Sequence, residues 1–357
     1  MPHSSPHTIL ITGSAGYIGS HTILALLAQG YRVLGADNHC NSSDKVYGQI
    51  KKLANAIAPN LADQFTHHVV DVRDEAALGA LLQAHPVQAC IHFAALKAVG
   101  ESTQMPLQYL HNNMVGLLAV LNVLQAKNVR ALVFSSSATV YGNPEFVPLT
   151  EAARLQAVSP YGLTKLMGEQ VLDELIALSA RNGATQPDAW RIGILRYFNP
   201  VGAHESGEIG EHPQGSPNNL MPYVTQTAAG QRELLTIHGD DYPTPDGTGV
   251  RDYIHVQDLA EGHVAALRKL LSTAGSFTVN LGTGRGTSVK ELVTTFEQVN
   301  QIKVAHKVGP RRPGDVAECY ADASLANTLL GWQATRTVQD MCRDAWHWQS
   351  KYPRGFE

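Results

Sequence analysis

The sequence predicts an α/β fold: a Rossmann-type, doubly wound parallel sheet with a smaller mixed α/β substrate-binding domain. Three observations carry this. Short apolar, β-prone runs alternate with amphipathic helical stretches through residues 8–199. The first such run leads directly into a glycine loop and then a helix. Beyond Asn199 the pattern changes, because Gly, Pro and His crowd the aperiodic residues 200–219.

Bulk properties bound the function. A chain of 357 residues suits one large or two joined domains. Hydrophobic content of 44% and charged content of 16% are those of an ordinary globular protein. A net charge of -4 without basic runs argues against nucleic acid as the main partner. No apolar run is long enough to span a bilayer. Residues 1–7 lack a charged-then-apolar signal pattern and read as a short loose tail. Cys40, Cys90, Cys319 and Cys342 form no CxxC pair, which fits a reducing cytoplasm without disulfides or structural zinc. The histidines show no metal-ligand spacing, so no metal site is expected.

The elements follow in order. Thr8–Thr12 is the first strand. Gly13, Gly16 and Gly19 come next in G-x-x-G-x-x-G spacing, and the following helix carries Ile23, Leu26 and Leu27 inward. The spacing departs from the commoner G-x-G-x-x-G. Glycines there permit a tight turn, and the helix N-terminus offers N–H groups and positive dipole to a pyrophosphate. Arg32–Asp37 is a second strand ending in an acid. A carboxylate at Asp37 would bind an adenosine ribose 2′-OH and repel a 2′-phosphate, favouring NAD over NADP. The alternative is that Asp37 caps the loop at residues 38–43.

Val46, Ile50, Leu53 and Ile57 make a helix stripe. Residues 68–72 read as a strand, and Leu78, Leu81 and Leu82 mark a helix. Residues 89–95 form a strand entering a small-residue turn, and residues 112–127 a helix. Ala131–Ser137 and Arg191–Tyr197 are further strands. Phe93, Ser137, Tyr161 and Asn199 then fall at or just beyond strand C-terminal ends, where such sheets bind ligands.

Between those last strands, Ser159 can cap a helix whose first position is Pro160. Leu163, Leu166, Met167, Val171, Leu172 and Leu175 give it an apolar stripe. Tyr161 and Lys165 are i and i+4 and share a face. A phenol titrates near 10, too high for a base at neutral pH; bringing it to about 7 requires ~4 kcal/mol. A neighbouring ammonium and the helix dipole both favour the phenolate, and a second cation would help. The same spacing also occurs on helices whose lysine is merely solvated.

In the second half, residues 235–237 read as a strand, 256–271 as a helix, Phe277–Leu281 as a strand and 289–299 as a helix. A strand near Val304 and a basic turn at residues 311–315 follow. A final helix holds Trp346 and Trp348. The expected division is 1–199 for the first domain, with 255–285 returning to it, and 200–254 plus 286–357 for the second.

Gly13-x-x-Gly16-x-x-Gly19, Asp37, Ser137 and Tyr161-x-x-x-Lys165 together resemble the extended short-chain dehydrogenase/reductases. Longer strings at residues 92–102, 134–142, 195–204, 217–223 and 246–256 narrow the resemblance to the UDP-glucose (UDP-galactose) 4-epimerase family. The resemblance runs from Thr8 to about Trp348. It implies reversible C4 epimerisation of UDP-glucose and UDP-galactose through a 4-keto sugar, with bound NAD, in galactose or wider carbohydrate metabolism. It makes the first domain the NAD-binding one and the second the UDP-sugar-binding one.

Residue by residue, the resemblance makes Tyr161 the base for the 4-hydroxyl proton. Lys165 lowers the Tyr161 pKa and holds the nicotinamide ribose, and Ser137 bonds the 4-oxygen. The nicotinamide would be the second cation. Gly13, Gly16, Tyr17, Ile18 and Gly19 would hold the pyrophosphate end, and Asp37 the adenosine ribose. Asn38, Asn41, Ser42, Asp71, Val72, Phe93, Ala94, Lys97, Asn112 and Tyr197 would complete the cofactor shell, with Tyr161 and Lys165 touching it. On the substrate side the matching positions are Lys97, Ser137, Ala138, Thr139, Tyr161, Phe198, Asn199, Asn219, Leu220, Thr236, His238, Arg251, Arg312, Asp315 and Cys319. Two arginines suit a diphosphate, although Arg312 alone reads as a solvated turn.

Related dehydratases and decarboxylases carry an acid where Ala138-Thr139 stand, so elimination chemistry is not implied. Family members restricted to non-acetylated sugars have a bulky tyrosine at the Cys319 position, so a small residue implies UDP-GlcNAc/UDP-GalNAc turnover as well. Were Tyr320 the aligned residue, that implication would reverse. The family also implies a homodimer through helices near residues 117–124 and 166–178. Alternatives are a UDP-sugar 4-epimerase acting mainly on UDP-GlcNAc or UDP-glucuronate, a net oxidoreductase, and a catalytically idle dinucleotide-binding regulator.

Overall fold

The computed structural model describes residues 7–183, 188–213, 215, 217–272, 275–312 and 314–356. Of the expected N-terminal tail only His7 is among them, and Pro313 of the basic turn lies outside them. The chain forms two compact units. One comprises Met1–Gly142, Ala157–Arg196 and Ala260–Val279; the other comprises Asn143–Gln156, Tyr197–Leu259 and Asn280–Glu357.

Strands β1 (Thr8–Thr12), β2 (Arg32–Asp37), β3 (Phe65–Val69), β4 (Ala89–His92), β5 (Ala131–Ser137) and β6 (Arg191–Tyr197) join Phe277–Leu281 in one sheet, all but the last residues of which belong to the first unit. Its order is Phe277–Leu281, β6, β5, β4, β1, β2, β3. β1 pairs in parallel with β2 and with β4, so that Thr12 stands opposite both Ala36 and His92. Strand order reverses at that pair, so the loops after Thr12 and His92 leave the sheet side by side. This switch point is where open α/β sheets bind ligands.

Helices α1 (Tyr17–Ala28), α2 (Val46–Ile57), α3 (Glu75–Ala84), α4 (Val99–Gln104), α5 (Pro106–Leu110), α6 (Gly116–Ala126) and α7 (Pro160–Arg181) follow the strands. The strands are apolar because both faces are covered. Leu10, Leu34, Cys90, Leu132 and Ile192 meet Leu78, Leu81, Val120, Leu124 and Leu172 in one core.

Several sequence-based boundaries move. The strand expected at 68–72 is Phe65–Val69, an edge strand on which Val69 is 72% exposed. Its register is set by Phe65 opposite Val33 rather than by the apolar pair Val70 and Val72. Ile57 faces solvent instead of joining its stripe. The helix expected at 112–127 starts earlier, at Pro106, and widens to a π-helical turn over His111–Val115.

α7 differs most. Ser159 Oγ accepts from the Gly162 N–H at 3.1 Å, and Pro160 takes the first position as expected. The buried face, however, is Tyr161, Thr164, Lys165, Gly168, Glu169 and Leu172, while Leu163 and Leu178 are exposed. The first turns thus bury polar residues, while Val171, Leu172 and Leu175 of the expected stripe do pack on the core.

The second unit is mixed α/β. Asn199–Val201 pairs in parallel with Tyr253–His255, and Leu235–His238 with His306–Gly309, where a strand was expected near Val304. Val250–Arg251 runs antiparallel to Thr287–Ser288 and parallel to Glu318–Cys319. Its core gathers Met221, Val224, Ile237, Tyr253, Leu292, Phe296, Met341 and Cys342. Among the described residues no helix is long and apolar enough to cross a membrane.

Candidate active site

The glycine loop is shaped by close backbone approach. Gly13 has φ 71°, and a Cβ there would lie 2.8 Å from the Ala94 nitrogen. A Cβ on Gly19 would lie 2.3 Å from the Gly13 carbonyl oxygen. No larger residue fits either place without opening the loop. Gly16 caps α1 with no side-chain acceptor, which leaves the helix N-terminus to whatever ligand meets it.

Asp37, at the end of β2, is buried. Its Oδ2 accepts from the Ala15 N–H at 3.0 Å, and its Oδ1 from the His39 N–H at 2.8 Å and the Ser42 hydroxyl at 3.0 Å. The capping alternative is therefore real, but the same carboxylate also reaches into the glycine loop. Asn38 donates to Asp71 Oδ2 at 3.0 Å. The Arg73 guanidinium, 2.5 Å from Asp71, holds that carboxyl well below the usual range.

Ser137 ends β5, and its hydroxyl accepts from the Thr139 N–H at 3.2 Å and the Thr139 hydroxyl at 3.0 Å. Ala138 and Thr139 belong to a short 3-10 turn that packs on the start of α7. A Cβ on Gly162 would lie 2.9 Å from the Thr139 carbonyl oxygen. Tyr161 sits in that first turn, packed with Ala98, Tyr109 and Leu96. Lys165 is buried on the same face, with Nζ 6.0 Å from the Tyr161 ring centroid and 5.1 Å from that of Phe134. It donates to the Ser135 carbonyl at 2.7 Å. Burial pulls the ammonium down to about 8, against the raising effect of Glu169. At neutral pH it is still mainly charged.

The remaining positions of the first unit are placed unevenly. Phe93 follows β4 and lies 4.7 Å, ring to ring, from His263. The Ala94 N–H points to Thr12 Oγ1 at 3.4 Å. Lys97 Nζ stands 5.9 Å from the Tyr17 ring centroid. Val72 is buried, Tyr17 and Ile18 open α1, and Asn41 lies in the loop after Asp37. Asn112 donates to Asn113 Oδ1 at 3.1 Å.

In the second unit, Tyr197 ends β6 and Phe198 is buried beyond it. The Asn199 N–H donates to the Asp252 carbonyl at 3.0 Å. Asn219 donates to Glu211 Oε1 at 2.6 Å, just before Leu220 starts a helix. Thr236 and His238 lie on one strand. Arg251 forms an ion pair with Asp315, and its Nη1 donates to the Val250 carbonyl at 2.8 Å. Arg312 is exposed on the turn.

Cys319 stands opposite Arg251 in strand register, and its thiol is pushed up to about 11 by burial, with Arg251 and Asp315 among the charges acting on it. The Tyr320 ring goes elsewhere: a Cβ on Gly286 would lie 3.0 Å from it. Cys319 is a neighbour of the Arg251–Asp315 pair.

A family model described as GDP-mannose 4,6 dehydratase matches residues 10–345. The UDP-glucose 4-epimerase of Bacillus subtilis (strain 168) is 49% identical over 349 residues, covering 98% of each chain. The chain belongs to the UDP-glucose 4-epimerase family. Among solved structures of that family, the Bifidobacterium longum enzyme in complex with NAD+ and UDP superposes with a TM-score of 0.90 at 45% identity. It covers 98% of this chain and 100% of its own. The Stenotrophomonas maltophilia enzyme, with bound NAD and formylated UDP-arabinopyranose, gives 0.90 at 48% identity, covering 98% and 99%.

The chain has a cradle that suits a dinucleotide. A Cβ would fill the space at Gly13 and Gly19, α1 has no side-chain cap, and the Asp37 carboxylate sits beside the loop. Sequence reasoning missed the supports around it. Asn113 is buried, accepts from the Leu96 N–H at 2.8 Å, and donates to the Leu96 carbonyl at 3.0 Å and Thr164 Oγ1 at 2.9 Å. It ties the Lys97 loop to α7. His92 shares a 2.8 Å hydrogen bond with Thr12 Oγ1 and is driven down to about 3 by burial, then by Lys165. No periodicity marks either residue; only the doubled Asn112-Asn113 hinted at one.

Proposed function

We propose that this chain interconverts UDP-glucose and UDP-galactose by inversion at carbon 4, and that it acts on UDP-GlcNAc and UDP-GalNAc as well. The observation that carries the reading is the buried Tyr161–Lys165 face of α7, packed against the turn that holds Ser137. Tyr161 takes the proton of the 4-hydroxyl and returns it to the 4-oxygen. Lys165, charged at neutral pH, favours the phenolate and holds the nicotinamide ribose. Ser137 hydrogen-bonds the 4-oxygen throughout. Gly13, Gly16 and Gly19 admit the pyrophosphate of NAD, and Asp37 holds the adenosine ribose. Bound NAD supplies a reversible two-electron acceptor for carbon 4.

On the sugar-nucleotide side, Arg251 and Arg312 bind the diphosphate. Arg251 is pre-aimed by Asp315, so the diphosphate shares or displaces that carboxylate. Ala138 and Thr139 offer no carboxylate for elimination, which supports epimerisation over dehydration. Cys319 leaves room for an N-acetyl group by simple volume.

We also propose a homodimer. Leu117, Leu121 and Leu124 belong to the core, so the pairing face is formed by Leu107, Val115, Leu118, Leu163 and Leu178, all exposed on α5 to α7. Free cysteines at 40, 90, 319 and 342 support a reducing, cytoplasmic setting.

The test is to incubate the purified enzyme, without added NAD, with UDP-galactose and separately with UDP-GlcNAc, and to identify products by NMR. UDP-glucose and UDP-GalNAc are expected. Turnover of UDP-galactose alone would remove the N-acetyl extension, and no turnover of either would remove the function. Cys319→Tyr should abolish the UDP-GlcNAc reaction while sparing UDP-galactose.

A further inference from the structure

Glu169 lies one helical turn beyond Lys165 on the buried face of α7, and the reaction as described makes no use of it. Its carboxylate accepts from Arg196 Nη2 at 2.6 Å and from Arg196 Nε at 3.0 and 3.1 Å. It also accepts from the Ser136 hydroxyl. Arg196, itself buried on β6, donates to the Tyr141 hydroxyl at 3.2 Å and stands 5.1 Å from that ring centroid.

The end of β5 thus meets α7 at successive residues. The Ser135 carbonyl holds Lys165, the Ser136 hydroxyl holds Glu169, and Ser137 turns into the candidate site. A buried ion pair is a poor device for stability, because desolvation offsets the attraction. Its place beside Lys165 gives it another role.

We propose that Glu169, pinned by Arg196 and Ser136, is a positioning residue that keeps the buried Lys165 ammonium charged and fixes α7 against the end of β5. This rests on the reading of Tyr161 and Lys165 as the base and its cation. The groups facing Lys165 are Tyr161 and Glu169 on α7, Phe134 and the Ser135 carbonyl on β5, and His92 on β4. Burial and Lys165 itself hold His92 neutral, so it adds no second positive charge. Arg196 and Asp173 act on Glu169's side of the network. Burial disfavours the ammonium, and Glu169 is the negative charge opposing that. An uncharged residue at position 169 would remove the negative charge that offsets burial of the Lys165 ammonium.

The experiment compares kcat and kcat/KM for UDP-galactose against pH in NAD-loaded wild type, Glu169→Gln, Glu169→Asp and Tyr161→Phe. In Glu169→Gln the alkaline limb should move to lower pH by about one pH unit or more, because Lys165 loses its proton earlier. Glu169→Asp keeps the charge, so the limb should stay in place while kcat falls by about 10-fold from the displaced helix. A Gln profile lowered in height but unmoved in pH would show a merely structural role and overturn the proposal. If the Gln variant does not fold, the Asp variant decides: a shifted limb, or a wild-type kcat, overturns it. Tyr161→Phe separates the two levels. Wild-type turnover there removes the underlying base assignment, whereas an inactive Phe variant beside an unmoved Gln profile removes only the role of Glu169.

Discussion

The two groups of candidate residues are held in opposite ways. In the first unit the groups that matter are buried and fixed by backbone: Gly13 against Ala94, Asp37 on three donors, Lys165 on the Ser135 carbonyl. In the second unit Arg251 and Asp315 hold each other and Arg312 lies exposed on a turn. Preorganised buried groups suit the reacting centre, where charge must be placed without reorganisation. Exposed, exchangeable ion pairs suit a diphosphate handle, which must be gripped and released. The difference teaches that catalytic rate should depend on the first group and substrate affinity on the second.

The sharpest way to break this comparison is at Tyr161. Tyr161→Phe should lower kcat by about 10²-fold or more with little change in KM, the expected result of losing a general base. Steady-state assay with UDP-galactose checks it, and a change confined to KM would contradict the division. Next in size is Arg251→Met. Loss of a charge-assisted hydrogen bond of about 1.5–3 kcal/mol should raise KM by roughly 10-fold or more at nearly constant kcat. Binding of UDP by calorimetry should weaken in step.

The third effect concerns the scaffold alone and leaves the chemistry at neutral pH untouched. His92 is buried neutral, with its folded pKa lowered from 6.5 to about 3. The unfolded chain takes up that proton first as pH falls through 6.5, so stability contributed by the neutral ring is present at neutral pH and lost downward across this window. The loss is at most about 1.4 kcal/mol per pH unit. His92→Gln, which can keep a bond to Thr12, should flatten the decline of stability between neutral pH and pH 4 in denaturant titrations. An unchanged slope would show that the ring titrates normally.

Local signals were legible and non-local ones were not. β1, β2, β5 and β6 lie where the sequence reading places them, since an apolar run between turn residues is a local feature. The glycine loop was legible for the same reason. The edge strand β3 was misplaced because its polar residues His67 and His68 pair by register, which hydropathy does not show. On α7 periodicity is right for Val171, Leu172 and Leu175, which meet the core, but in the first turns Leu163 is exposed and burial follows Tyr161, Lys165 and Glu169. Apolarity tells which face could be buried, and a site inverts that choice. The Glu169–Arg196 pair and the Asn113–Thr164 bond join segments far apart in the chain, so no spacing announces them.

The central claim is a reversible exchange of proton and electrons at carbon 4, confined within the site. The most direct measurement uses UDP-galactose deuterated at carbon 4, in ordinary water, with enzyme and no added NAD. The account predicts UDP-glucose that retains deuterium at carbon 4, with no build-up of reduced-nicotinamide absorbance. Deuterium lost to water, or reduced cofactor formed in proportion to substrate consumed, would contradict it.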